Sequence, residues 1–140
     1  MVNWVLRGAV LLWALLFLII GGSGFLDPMA YNEQFKIVVE GVAVNTLRAD
    51  LSAFFLVSSA SAAIGALMPG WTRALFVPAA LYGTALAGRL FGAASGDIVD
   101  GSIIQAMIIE ALSTGLMLGS WWVLSRPASA AAGESADTQH

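Results

Sequence analysis

Apolar residues run through this chain in four long blocks, and the polar residues between them fall where membrane helices would end. The blocks cover about residues 4–26, 47–68, 71–91 and 103–124. An apolar block of about 20 residues crosses the hydrocarbon core of a bilayer as a helix. The pattern therefore predicts an all-α fold, four transmembrane helices in an antiparallel bundle occupying residues 1–125. The stretch from Arg126 to His140 is small and polar, and a disordered C-terminal tail is expected there.

The punctuation between the blocks adds detail. Arg7 precedes the run Gly8 to Ile20 much as a charge precedes a signal peptide, but the run is too long for a signal core, so a retained helix is expected. Asp27-Pro28 stops the first block and should cap a short interfacial helix over 28–35. Residues 36–44 are rich in β-branched side chains and read equally as an extended segment or as a lead-in to the second helix. Asn45 or Thr46 is the candidate cap of that helix. Pro69-Gly70 predicts a tight turn, Pro78 a kink in the third span, and Gly92 to Ser102 a loop holding Asp97 and Asp100.

Composition agrees with the pattern. The 140 residues are 59% hydrophobic and 11% charged, whereas soluble domains carry about 25% charged residues. No cysteine is present, and the one histidine is His140. Disulfides, thiolate metal sites, iron–sulfur clusters and histidine catalysis within the membrane are thereby excluded. A net charge of -3 gives no basic patch for nucleic acid. With no nucleophile–base pair and no metal set, the expectation is a protein that is not an enzyme and carries no cofactor.

Charge also orients the chain. Arg7, Arg73 and Arg126 flank one side of the four spans, while Asp27, Glu33, Glu40, Asp97 and Asp100 occupy the other with Lys36. By the positive-inside rule both termini should be cytoplasmic.

Charges inside the apolar blocks are expensive and are functional-site candidates by default. Arg48 and Asp50 open the second block, Arg89 closes the third, and Glu110 lies within the fourth. Glu110 falls roughly 10 Å below the outer boundary at 1.5 Å per residue, a depth that permits an Asp50–Arg89–Glu110 network. At 100° per residue, Glu110 shares a face with Thr114 and Arg89 shares one with Tyr82. Arg48 points nearly opposite to Asp50, and Asp50 has a local reason to exist if it sits in the first turn, where the helix dipole favours a carboxylate. Small residues form separate stripes: Ala111, Gly115 and Gly119 on the fourth helix, and Ala80, Thr84, Gly88 and Gly92 on the third. Such stripes let membrane helices pack closely. They are expected to serve helix packing within the bundle ahead of an oligomer interface.

The segments L-R-A-D-L-S-A-F-F at Leu47 to Phe55 and A-G-R-L-F-G at Ala87 to Gly92, Asp100-Gly101, and the glutamate in the last helix together resemble a family of small bacterial four-helix membrane proteins of unknown function, loosely DoxX-like. The resemblance covers all but the tail. It implies a place in the bacterial inner membrane and makes Arg48, Asp50, Arg89 and Glu110 the signature polar residues, but it implies no activity. The function expected from the residues is binding of a lipid-like or quinone-like molecule, or of a neighbouring membrane subunit, at Arg89 and Glu110 beside Tyr82 and Thr114. Two alternatives stand beside it: a structural accessory subunit packed against other subunits or copies of itself, and a small proton-coupled transporter using Glu110 or Asp50.

Overall fold

The computed structural model of the protein describes residues 2–68 and 70–126, the side chain of Glu33 excepted. The expected tail, beyond Arg126, lies outside the described residues. The elements are α1 (Val2–Leu26), α2 (Met29–Phe35), α3 (Val42–Leu67), a 3-10 turn (Thr72–Leu75), α4 (Phe76–Ala94) and α5 (Gly101–Leu124). Four stretches, Val2–Leu26, Val42–Leu67, Thr72–Ala94 and Gly101–Leu124, are long and apolar enough to cross a membrane. They form an all-α four-helix bundle, and the protein is a multi-pass membrane protein.

Contacts pair the helices in opposite senses. Arg7 near the start of α1 donates to the carbonyl of Ala66 near the end of α3, while Gly21 near the end of α1 lies against Phe55 and Leu56. Arg89 near the end of α4 meets Glu110 in the first half of α5, and Phe76 at the start of α4 packs on Trp121 near the end of α5. One end of the bundle thus carries the start of α1 and the end of α5, here the terminal end. The other carries α2 and the α4–α5 loop, here the loop end.

The distribution of polarity is inverted relative to a soluble protein. Ser52, Ser58, Ser59, Glu110, Ser113 and Ser120 are buried, while Leu12, Leu15, Leu16, Ile19, Ile108 and Leu112 are exposed. Lipid tails leave no hydrophobic drive between helices, so association relies on close packing of small residues and on hydrogen bonds between helices. Two clusters fill the interior. At the terminal end Val10, Ala14, Ala62, Ala66, Leu75, Ala79 and Met117 pack together. Toward the loop end Phe17, Tyr31, Leu47, Phe55 and Tyr82 do so. Ser58 and Ser59 donate back to the carbonyls of Phe54 and Phe55 at 2.5 and 2.7 Å, which satisfies their hydroxyls without a second helix.

Several boundaries differ from those the sequence suggests. The second span begins at Val42, and its N-cap is Gly41, so Asn45 and Thr46 are helix interior and cap nothing. Inside a bilayer an unpaired backbone group is costly, and that demand outweighs the weak helix propensity of Val42 and Val44. The short helix begins at Met29 rather than residue 28, yet Asp27 still serves its start: its carboxylate accepts from the Met29 N–H at 3.0 Å. Pro78 does not sit mid-helix. It occupies the first turn of α4, where its missing N–H costs little, and the irregularity lies in the preceding 3-10 turn. Before that turn, the Trp71 N–H bonds to the Met68 carbonyl at 3.1 Å across Gly70. Gly70 has a φ of 84°, which glycine alone adopts without strain.

The α4–α5 loop is fixed at both ends. α4 ends in a Schellman motif: the Gly96 N–H bonds to Ala93 O and the Asp97 N–H to Gly92 O, with Gly96 at φ 96°. Asp100 caps α5, its carboxylate accepting from the Ser102 and Ile103 N–H groups at 2.9 and 3.0 Å and from the Ser102 hydroxyl at 2.5 Å. The Ser102 hydroxyl, and then the Ile103 N–H, hold this carboxyl below the usual carboxylate range. A pKa depressed by folding contributes stability above the unfolded value, and that stability is lost as pH falls through the folded one. Asp100→Ala is therefore expected to melt below wild type at neutral pH, with the gap closing on acidification through the carboxylate range. Thermal unfolding in micelles across that range measures it; equal melting at neutral pH would show that the cap contributes nothing.

Candidate functional site between α4 and α5

Arg89 lies five residues before the end of α4, and Glu110 projects from the first half of α5 toward it. The Arg89 Nε donates to Glu110 Oε1 at 2.8 Å. The two ends of this ion pair face different surroundings, since the Glu110 side chain is 9% exposed and that of Arg89 36%. Nε is the only nitrogen of the guanidinium engaged by a protein acceptor among the described residues. Its two terminal nitrogens remain as donors in a planar fork.

Tyr82 stands two turns before Arg89 on α4 and Thr114 one turn after Glu110 on α5. Thr114 packs against the backbone at Gly83. Tyr82 OH, Thr114 Oγ1 and Glu110 Oε2 are all buried and have no partner among the described residues. Native interiors rarely leave buried polar atoms unpaired, so three around one ion pair mark the place where this bundle departs from a purely structural core. Aromatic rings wall this place on the side of α1 and α3. Tyr82 packs edge-on to Trp13 and Phe17, both with ring centroids 5.2 Å away, and tilts against Phe54 at 4.9 Å.

On the outer face of α4, Arg89 lines a groove of about 410 Å³ together with Ala85, Gly88, Gly92, Ile98 and Ile103. Asp97 sits on its rim, folded against Gly92 by the Schellman motif. The groove exists because the α4 positions that line it are small: a Cβ built on Gly88 meets nothing within 4 Å.

The other sequence candidates fall elsewhere. Asp50 is exposed and has no hydrogen-bond or ion-pair partner among the described residues, so the Asp50–Arg89–Glu110 network does not form. Because α3 starts at Val42, Asp50 is its ninth residue, beyond the first turn that would explain it through the helix dipole. Arg48 is likewise exposed and unpaired among the described residues. The small-residue stripes are not interior either. Ala80, Thr84, Gly88, Ala111, Gly115 and Gly119 are exposed, Gly92 is half-buried, and a Cβ on Gly115 or Gly119 meets nothing within 4 Å. The close-packing glycines are Gly21, Gly24 and Gly65 on α1 and α3, which no four-residue stripe singles out.

Two contributors were missed by reasoning from the sequence. Trp13 Nε1 donates to Ser113 Oγ at 2.8 Å, tying α1 to α5 beside the polar cluster. A signal existed, since Trp13 lies deep within a span whereas Trp4, Trp71, Trp121 and Trp122 lie at span ends. Tyr31 is the second: its hydroxyl pairs with Ser52 Oγ at 2.9 Å and with Gly21 O at 3.4 Å, so α2 inserts a ring into the bundle instead of lying on its surface. Compared with family models, curated proteins and solved structures, the chain finds no match.

Proposed function

We propose that the protein binds an amphiphile, lipid-like or quinone-like, whose polar oxygen is held by Arg89 and whose apolar body lies in the groove along α4. The observation that carries the reading is the division of Arg89. Its Nε is committed to a buried carboxylate, and its remaining donors stand beside a groove open to lipid. Glu110 holds the guanidinium in one orientation, as an outer partner orients a binding group. A phosphate or carbonyl oxygen would complete the arginine's hydrogen bonds. Ala85, Gly88 and Gly92 offer room for an apolar chain, with Ile98 and Ile103 at the mouth. No chemical transformation is assigned to the site.

The arginine-rich terminal end supports a cytoplasmic position for both termini. With the resemblance to small bacterial four-helix proteins, the proposal is a bacterial inner membrane with the Arg89 groove toward its outer leaflet.

Gly88→Leu tests the reading without disturbing the ion pair. Open space around its Cβ means the variant should fold and melt like wild type, while its side chain fills the groove. Native mass spectrometry of gently extracted protein should show a bound lipid or quinone mass on wild type that Gly88→Leu lacks. The same adduct, at the same occupancy, on a correctly folded Gly88→Leu would overturn it.

A further inference from the structure

We infer that the terminal end of the bundle carries a second site, for a phosphate-bearing anion, built by Arg7, Arg73 and Arg126. The three come from separate parts of the chain: α1, the 3-10 turn before α4, and the residues just past α5. They line one cavity of about 480 Å³ together with Thr72, Trp121 and Ser125. Positive charge at this boundary is expected on topological grounds alone. Topology does not require three arginines to converge on one concavity, where their mutual repulsion is unfavourable until an anion sits between them.

The local contacts show what holds two of these side chains in place. Arg7 donates through Nη1 to the carbonyl of Ala66, one of the last-turn carbonyls of α3 that lack a helical N–H partner. The Arg126 guanidinium lies over the Trp122 ring, 4.7 Å from its centroid. Such stacking occupies the face of the fork and leaves its edge free to donate. No carboxylate among the described residues ion-pairs with any of the three. Thr72 adds a neutral hydroxyl to the same lining, while the Ser125 hydroxyl is committed to the Trp122 carbonyl at 3.3 Å. Several planar guanidinium forks with a hydroxyl beside them match the oxygens of a phosphate better than the two of a carboxylate.

Position favours a lipid headgroup as the source of that phosphate. Trp71, Trp121 and Trp122 stand at this end, where aromatic rings settle at headgroup depth. Trp121 and Leu124 supply apolar lining for the glycerol and the first methylenes of a chain. Basic pockets between membrane helices are a recurrent way of holding anionic headgroups.

The test uses the full chain in mild detergent, with native mass spectrometry reading adducts of phosphatidylglycerol in one arm and inorganic phosphate in the other. Arg73→Gln/Arg126→Gln removes two of the charges and spares Arg7, which also caps α3. Each arginine near a membrane surface is worth about 1 kcal/mol toward anionic lipid, so phosphatidylglycerol affinity should fall on the order of tenfold or more. Arg48→Gln, a charge loss on an exposed residue elsewhere, should leave it unchanged. A fall in the phosphatidylglycerol arm alone assigns the site to a lipid headgroup. A fall in the phosphate arm alone assigns it to a free anion. If the double variant, with wild-type melting, keeps wild-type affinity in both arms, or if Arg48→Gln weakens binding equally, the site does not exist.

Discussion

Arg89→Ala is expected to destabilise the bundle by about 3 kcal/mol, enough to lower its unfolding temperature in micelles by many degrees. Removing one partner of a buried pair typically costs about 3–5 kcal/mol, because the other charge is left desolvated and alone. Glu110 fits that case, with its side chain 9% exposed and Oε2 already without a partner. The lower end applies because the arginine side is 36% exposed and screened in part. Glu110→Gln should cost less, since a carboxamide oxygen still accepts from Nε. Arg89→Leu/Glu110→Leu should recover most of the loss, as apolar replacement of a buried pair is often neutral or better. That recovery separates two roles. If the pair only ties α4 to α5, the recovered double variant keeps every other property of wild type. If the pair binds an amphiphile, the double variant regains stability and loses the adduct. Melting of Arg89→Ala within a degree or two of wild type would mean that the 2.8 Å contact contributes nothing.

Much of this site could be read from the sequence because membrane burial makes charges conspicuous. In a chain with 11% charged residues, an arginine and a glutamate inside apolar blocks stand out. Helical phase then placed Tyr82 with Arg89 and Thr114 with Glu110, and both pairs line the site in three dimensions. The dipole reading of Asp50 failed because the start of α3 was misplaced by five residues, which put a mid-helix residue in the first turn. The small-residue stripes misled for another reason. Spacing of four identifies a face on which a close partner would fit, but not whether one is present. Gly115 and Gly119 show such a face left open, whereas Gly21 and Gly24, three apart, are filled by Phe55 and Tyr31. The serines gave no warning at all. Their burial depends on which way α3 and α5 turn within the bundle, and four apolar helices without alternation do not announce that rotation.

Gly24→Ala should be nearly as damaging as deleting a core aromatic, although it adds a single methyl group. The tip of the Tyr31 ring occupies the space that this methyl would fill. Neither side can yield cheaply. Gly24 is fixed in α1, and Tyr31 is fully buried, with its hydroxyl on Ser52 and on the Gly21 carbonyl. The ring also packs against Phe35 and Phe55, at centroid distances of 5.8 and 6.1 Å. Expelling it forfeits the burial of a large side chain and strands the hydroxyl of Ser52, which is 1% exposed. Together these amount to roughly 3–5 kcal/mol, the range seen when buried aromatics are truncated. Because the ring is the main buried anchor of the seven-residue α2, its loss should also release the connection between α1 and α3. Limited proteolysis should then cut Gly24→Ala between Asp27 and Gly41 under conditions where wild type resists, alongside a lowered unfolding temperature. Coupling supplies the sharper check. Once Tyr31→Ala has vacated the space, adding Gly24→Ala should cost almost nothing further, a strongly non-additive pair. Additive losses, or a Gly24→Ala variant that melts with wild type and resists cleavage, would show that the ring does not sit against α1.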